Sequence, residues 1–202
     1  PTTRRACASG RDGSMKAENG ETITPLTHWD EPGEIVVDNE DSLFSIVNVT
    51  KQGLLIRIAN KIGKPGDEYQ GYMWWFVSGK WGKFVNNQFY GKYLHSAEAI
   101  RSGGGNSKAL WSIPIVSKGQ YDIYTYIPKD KTDDEEQHLG EYQYTIYHDD
   151  GENKVTINCK DVDGGWVLLG TYYCSPGKTK VELNNQSKSR IVIADAVKAV
   201  KL

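Results

Sequence analysis

The sequence predicts an all-β protein: a two-sheet antiparallel β-sandwich of jelly-roll type with one short peripheral helix. Three observations predict it. Apolar residues recur with period two over short runs, as in Lys180-Val181-Glu182-Leu183 and in Gln120 to Ile127. Turn chemistry punctuates these runs, most clearly at Ser175-Pro176-Gly177-Lys178 and Asp149-Asp150-Gly151. The composition, with 21 Gly and 12 Tyr in 202 residues, suits many short strands joined by Gly-containing turns.

In chain order, residues 1–33 are polar and without sustained period, and read as an extension or linker. Arg4, Arg5 and Arg11 there read as solvated charges. Asp30-Glu31-Pro32-Gly33 makes a boundary, so that 34–202 is the expected sandwich domain. Glu34 to Val47 gives a strand, a turn and a second strand. Leu54, Leu55, Ile58 and Ile62 share one helical face, which places the short amphipathic helix at Gln52 to Ile62. Tyr72 to Val77 is a strongly aromatic run, read as a strand with Trp74 and Trp75 on opposite faces. Trp81 follows in a Gly-flanked loop.

Strands are next expected over Tyr93 to Ile100, Lys108 to Ile115 and Gln120 to Ile127. The last of these sets Tyr121, Ile123 and Thr125 against Asp122, Tyr124 and Tyr126. Lys129 to Gln137 has no apolar anchor and reads as a surface loop. Glu141 to His148 and Lys154 to Cys159 form a hairpin across Asp149-Asp150-Gly151. Val167-Leu168-Leu169 reads as a strand buried on both faces. With Lys180 to Leu183 and Ile191 to Ala194 it is expected to form one antiparallel sheet. Val167, Leu169, Ile191 and Ile193 are expected in central strands.

Composition excludes several functions. A net charge of −2 argues against a general nucleic-acid binder, which needs a basic stripe. No apolar run approaches the ~20 residues that span a bilayer. The chain begins at Pro1 without a signal-peptide pattern, and is expected to be a piece of something larger. Of the three cysteines, Cys159 and Cys174 read as buried free thiols in preference to a bridge.

Several motifs together resemble a known family. Gly164 to Leu183, reading GGWVLLGTYYCSPGKTKVEL, and Arg190 to Val200, reading RIVIADAVKAV, resemble the end of the golvesin C-terminal-like domain. Glu34 to Asp41 with Phe44-Ser45-Ile46 resembles its opening. Phe89 to Tyr93, Ala109-Leu110-Trp111 and Gly119 to Tyr124 resemble its middle. The resemblance covers about Glu34 to Leu202. It implies a non-catalytic β-sandwich accessory module of a secreted, periplasmic or cell-surface bacterial protein. Such modules occur in Bacteroidetes proteins labelled xanthan lyase or FAD-dependent oxidoreductase. It implies carbohydrate binding, does not imply lyase activity, which is the less favoured alternative, and makes the segment from about Val49 to Lys80 an insertion.

The candidate constellations are few. Gly103-Gly104-Gly105 lacks the Lys-Ser/Thr and the helix of a phosphate loop, so it reads as a turn and binds no flavin by itself. His148-Asp149-Asp150 reads as hairpin chemistry, since a catalytic dyad needs a nucleophile and an oxyanion stabiliser. The four histidines have no zinc spacing. No cofactor is expected beyond one candidate ion. Asp38, Asn39, Asp41 and Asp195 offer oxygen ligands to a structural calcium joining first and last strands. The favoured reading is that Asp38 and Asp195 accept hydrogen bonds at a strand end.

The aromatics carry the functional expectation. Flat rings stack on the apolar C–H faces of sugars while their polar edges stay wet. Trp74 or Trp75, with Trp81 and Tyr90, are the candidate ligand-binding residues. Trp111 and Trp166, inside strand patterns, are expected in the core. Lys80 and Lys83 beside Trp81 would attract an acidic polysaccharide. The expected partner is a polysaccharide or, alternatively, a neighbouring catalytic domain of the same chain against which a structural module packs. A lyase needs a base near the C5 proton, and no residue set here supplies one.

Overall fold

The computed structural model describes residues 15–16, 22–23, 33–48, 77–91, 94–129 and 140–202. Two short strands, β1 (Met15–Lys16) and β2 (Thr22–Ile23), pair with each other. The remaining strands are β3 (Glu34–Val37), β4 (Phe44–Val47), β5 (Gly82–Val85), β6 (Ser96–Arg101), β7 (Lys108–Ser112) and β8 (Gly119–Ile127), then β9 (Glu141–His148), β10 (Gly151–Asn158), β11 (Gly165–Cys174), β12 (Lys180–Asn184), β13 (Ile191–Ala194) and β14 (Val197–Lys201).

They form an antiparallel β-sandwich. One layer is a five-stranded sheet in the order β10-β9-β12-β7-β4. Facing it are a four-stranded sheet, β11-β8-β14-β3, and a three-stranded sheet, β13-β6-β5. Only Asp195 and Ala196 separate β13 from β14, so the chain passes directly from one of these sheets into the other. The Tyr126 N–H bonds to the Ala196 carbonyl at 2.8 Å and closes the seam.

The layers meet over a core of Trp111, Tyr142, Tyr144, Ile100, Ile123, Ile146, Leu183 and Val37, all below 3% exposed. Burying each aliphatic side chain contributes about 1.5–3 kcal/mol. The aromatics carry polar atoms inside, and each finds a partner. The Ile193 N–H donates to Tyr142 Oη at 3.0 Å, and Thr125 Oγ1 donates to Tyr144 Oη at 3.0 Å. Trp111 Nε1 donates to the Asp195 carbonyl at 3.2 Å. Each of these bonds crosses between the layers and fixes their register.

The Asp149-Asp150-Gly151 hairpin forms as the sequence predicts, with Gly151 paired to His148 across a two-residue turn. Gly151 has φ +124°, a conformation that glycine adopts without steric cost. Cys159 and Cys174 are buried and do not bridge to one another.

Three expectations change. β11, β12 and β13 lie in three different sheets instead of one. Among the described residues β11 and β13 are edge strands of their sheets and not central. Leu168, expected to be buried, is 48% exposed, and β11 carries a bulge between Leu168 and Gly170. Period two says which face a residue occupies, but not which strand is its neighbour. The proposed helix at 52–62, Trp74 and Trp75, and most of the 129–137 loop lie outside the described residues.

Candidate functional site

The outer face of the four-stranded sheet gathers aromatic side chains from distant parts of the chain. On β8, Tyr121, Ile123, Thr125 and Ile127 are buried toward the five-stranded layer. The pleat therefore turns Asp122, Tyr124 and Tyr126 outward. Register does the rest. Trp166 on β11 lies opposite Tyr126, and Leu168 lies opposite Tyr124. Beyond the bulge Thr171 lies opposite Asp122. From the other side β14 sets Lys198 opposite Tyr124, and β3 brings Glu34 opposite Val200.

Tyr90 joins this face from the loop between β5 and β6. Phe89, 3% exposed, anchors that loop in the core, and the Phe89 N–H bonds the Asn86 carbonyl. His95 Nδ1 lies 2.7 Å from the Phe89 carbonyl. Gly91 has φ +144°, and a Cβ there would sit 2.1 Å from the Leu94 carbonyl oxygen, so only glycine fits. The Tyr90 N–H donates to the buried Asp195 carboxylate. Tyr90, Tyr126 and Trp166 then form a mutual cluster. Centroids lie 5.1 Å apart for Tyr90–Trp166, 5.3 Å for Tyr126–Trp166 and 5.6 Å for Tyr90–Tyr126. These are edge-on and tilted contacts of the favourable kind.

Polar groups border the rings. Lys198 Nζ stands 5.0 Å from the Trp166 ring centroid and 5.2 Å from that of Tyr124. The same ammonium pairs with Glu34 Oε1 at 2.9 Å. Asp122 accepts hydrogen bonds from Thr171 Oγ1 and, at 3.5 Å, from Tyr124 Oη. Half-exposed rings beside a carboxylate, a hydroxyl and an ammonium can stack on a sugar and bond its hydroxyls.

The structure treats the predicted site residues unequally. Trp81 is 6% exposed, so the expectation of an exposed loop tip is corrected. Its N–H donates to Asn48 Oδ1, its ring belongs to the core, and its Nε1 has no partner among the described residues. Small neighbours at Gly79 and Gly82 leave the large ring free to turn inward, and the hydrophobic gain decides it. Lys83 is bound to Glu40 at 2.8 Å. Trp166, expected in the core, is instead half-buried on the outer face. Tyr124, Tyr126, Trp166 and Lys198 were missed as site residues. The alternation through Asp122-Tyr124-Tyr126 was the signal, because a face that carries an Asp is a solvent face.

Asp38, Asp41 and Asp195 all accept backbone hydrogen bonds. Asp38 Oδ1 accepts from the Asn39 N–H and Asp41 Oδ2 from the Asp38 N–H, both at 2.7 Å. Asp195 accepts from Tyr90. Among the described residues, no three His, Cys, Asp or Glu side chains form a group that could hold a metal ion. Burial pushes Asp38 up to about 7, and pushes Asp195 well above the carboxylate range. At the hairpin, His148 Nε2 lies 2.7 Å from Asn153 Oδ1, and Nδ1 accepts from the Asp150 N–H.

The profile of the Golvesin C-terminal domain matches residues 73–201, more than half of the chain. The chain belongs to the Golvesin C-terminal domain family. The golvesin-type fold also has solved neighbours. A Paenibacillus xanthan lyase matches with a TM-score of 0.58 and 18% identity over 84% of this chain. This golvesin-type chain spans 13% of that lyase's length. A Podospora anserina GH26-CBM35 β-(1,4)-mannanase matches at a TM-score of 0.38 and 13% identity, over 63% of this chain and 26% of its own. The K3 cleaved adhesin domain of Lys-gingipain from Porphyromonas gingivalis matches at 0.35 and 11% identity, over 82% of this chain and 97% of its own. No curated protein matches the sequence. Among the described residues, no helix is long and apolar enough to cross a membrane.

Proposed function

We propose that this golvesin-type domain is a non-catalytic accessory module of a larger secreted, periplasmic or cell-surface protein, and that it binds polysaccharide on the outer face of its four-stranded sheet. One observation carries the reading. Tyr90, Tyr126 and Trp166 are clustered within 5.6 Å on one sheet face, with Tyr124 and Asp122 beside them. The fold likeness to a xanthan lyase supports a polysaccharide setting. The test is retention on immobilised or gel-embedded polysaccharides. Trp166→Ala should weaken retention by ~5-fold or more, since a ring stacking contact of this kind contributes about 1 kcal/mol. Unchanged retention of a folded Trp166→Ala protein moves the site elsewhere.

A second reading has its own observation. Among the described residues β4 is an edge strand, and Leu43, Ile46 and Val47 around it are 37–43% exposed. An apolar strand edge suits docking of a neighbouring catalytic domain. Absence of retention on every polysaccharide, combined with stabilisation by the rest of the parent chain, selects this reading.

A further inference from the structure

Resting on the reading that the outer sheet face binds polysaccharide, we infer that its ligand is a neutral glycan and that the face discriminates against uronic acids. The charge arrangement around the rings carries this. Two carboxylates flank the aromatic row, Asp122 on β8 and Glu34 on β3. The one ammonium between them, Lys198, is already paired with Glu34 at 2.9 Å, and its side chain is only 14% exposed. Its charge is already countered by Glu34, so the pair adds no net positive charge to attract an incoming anion.

The hydrogen-bonding chemistry points the same way. An ionised carboxylate only accepts. Asp122 takes one bond each from Thr171 and Tyr124, both on its own sheet, and a carboxylate has capacity for further donors. A neutral pyranose brings O–H donors on adjacent carbons, which match that capacity while its C–H face covers a ring. A uronate brings a second acceptor-only carboxylate. It would meet like charge at Asp122, which a neutral sugar does not. The attraction to acidic polymers expected from Lys80 and Lys83 has no counterpart here, because Trp81 is in the core and Lys83 is held by Glu40.

The experiment titrates the intact chain with four soluble polymers by calorimetry: glucomannan and mixed-linkage β-glucan as neutral probes, polygalacturonate and alginate as uronate probes. At least one neutral probe should bind ~10-fold or more tighter than either uronate at low salt, and the gap should shrink as salt screens the repulsion. Glu34→Gln, which releases Lys198, should raise uronate binding. Asp122→Asn should narrow the gap from both sides. Uronate binding equal to or stronger than neutral binding overturns the inference but leaves polysaccharide binding standing. So does an unchanged preference in both variants, each checked for an unaltered melting temperature. No binding to any of the four, with Trp166→Ala indistinguishable from the parent, overturns both the inference and the reading beneath it.

Discussion

The Tyr90 N–H donates to both carboxylate oxygens of Asp195, at 3.0 and 3.2 Å, across 105 positions of sequence. Asp195 thereby ties the loop that carries one candidate ring to the junction of β13 and β14. Its carbonyl, held by Trp111 Nε1, ties the same junction to the opposite layer. Asp195→Ala removes the acceptor of this bond, at a cost of about 1–3 kcal/mol. It should also weaken glycan retention by freeing Tyr90. Asp195→Asn keeps an acceptor oxygen and should stay much closer to the parent. Equal losses in the two variants, by thermal melts, would show that charge and not the hydrogen bond matters.

Stability should fall as pH rises toward neutrality. Burial pushes Asp38 up to about 7, opposed by the Asn39 N–H and reinforced by Asp41 and Glu40. Burial likewise pushes Glu98 up to about 7, eased by Lys83 and reinforced by Glu40. Asp195 is raised by burial, against the Tyr90 N–H and with Asp38 adding to it. A raised folded-state value means that the native protein keeps protons that the unfolded chain releases from about pH 4 upward. That contribution is present at low pH and is lost as pH passes through about 7. After allowance for solvent screening the loss is about 1–2 kcal/mol, or roughly 2–8 °C in melting temperature. Melting curves between pH 5 and 8.5 check it, and a temperature that climbs across that range contradicts it.

Trp81 and Trp166 should behave oppositely. Trp81→Ala opens a cavity in the core and should cost about 3–5 kcal/mol. The fraction that still folds should retain polysaccharide normally. Trp166→Ala, at a half-buried edge position, should lose retention first and stability less. Paired denaturation and retention measurements separate the two, and the reverse ranking would falsify the assignment of the site.

Chelation should leave the melting temperature unchanged. The Asp38, Asp41 and Asp195 carboxylates each accept a backbone N–H. An ion bound to the native state would stabilise by mass action. A drop in EDTA that millimolar calcium reverses would place an ion at these groups after all.

The sequence by itself determined the fold class, the approximate place of most strands and the turns between several of them. Gly151 after Asp149-Asp150 closes a hairpin because the constraint is local: two residues, one favourable φ. The split of Gln120 to Ile127 into an inner and an outer face was equally legible, since a pleat alternates whatever lies on either side. What the tertiary structure decided is who sits beside whom. Val167, Val181 and Val192 come from three consecutive strands yet end in three sheets, because hydrogen-bonded partners are chosen by layer closure and not by apolar pattern. Trp81 looked like a loop tip from its Gly and Lys neighbours. Its ring instead joins a core assembled from residues far apart in sequence. Tyr90, Tyr126 and Trp166 carry no mutual signal along the chain. They meet because Asp195 holds one loop, and because the β8–β11 register puts a tyrosine opposite a tryptophan.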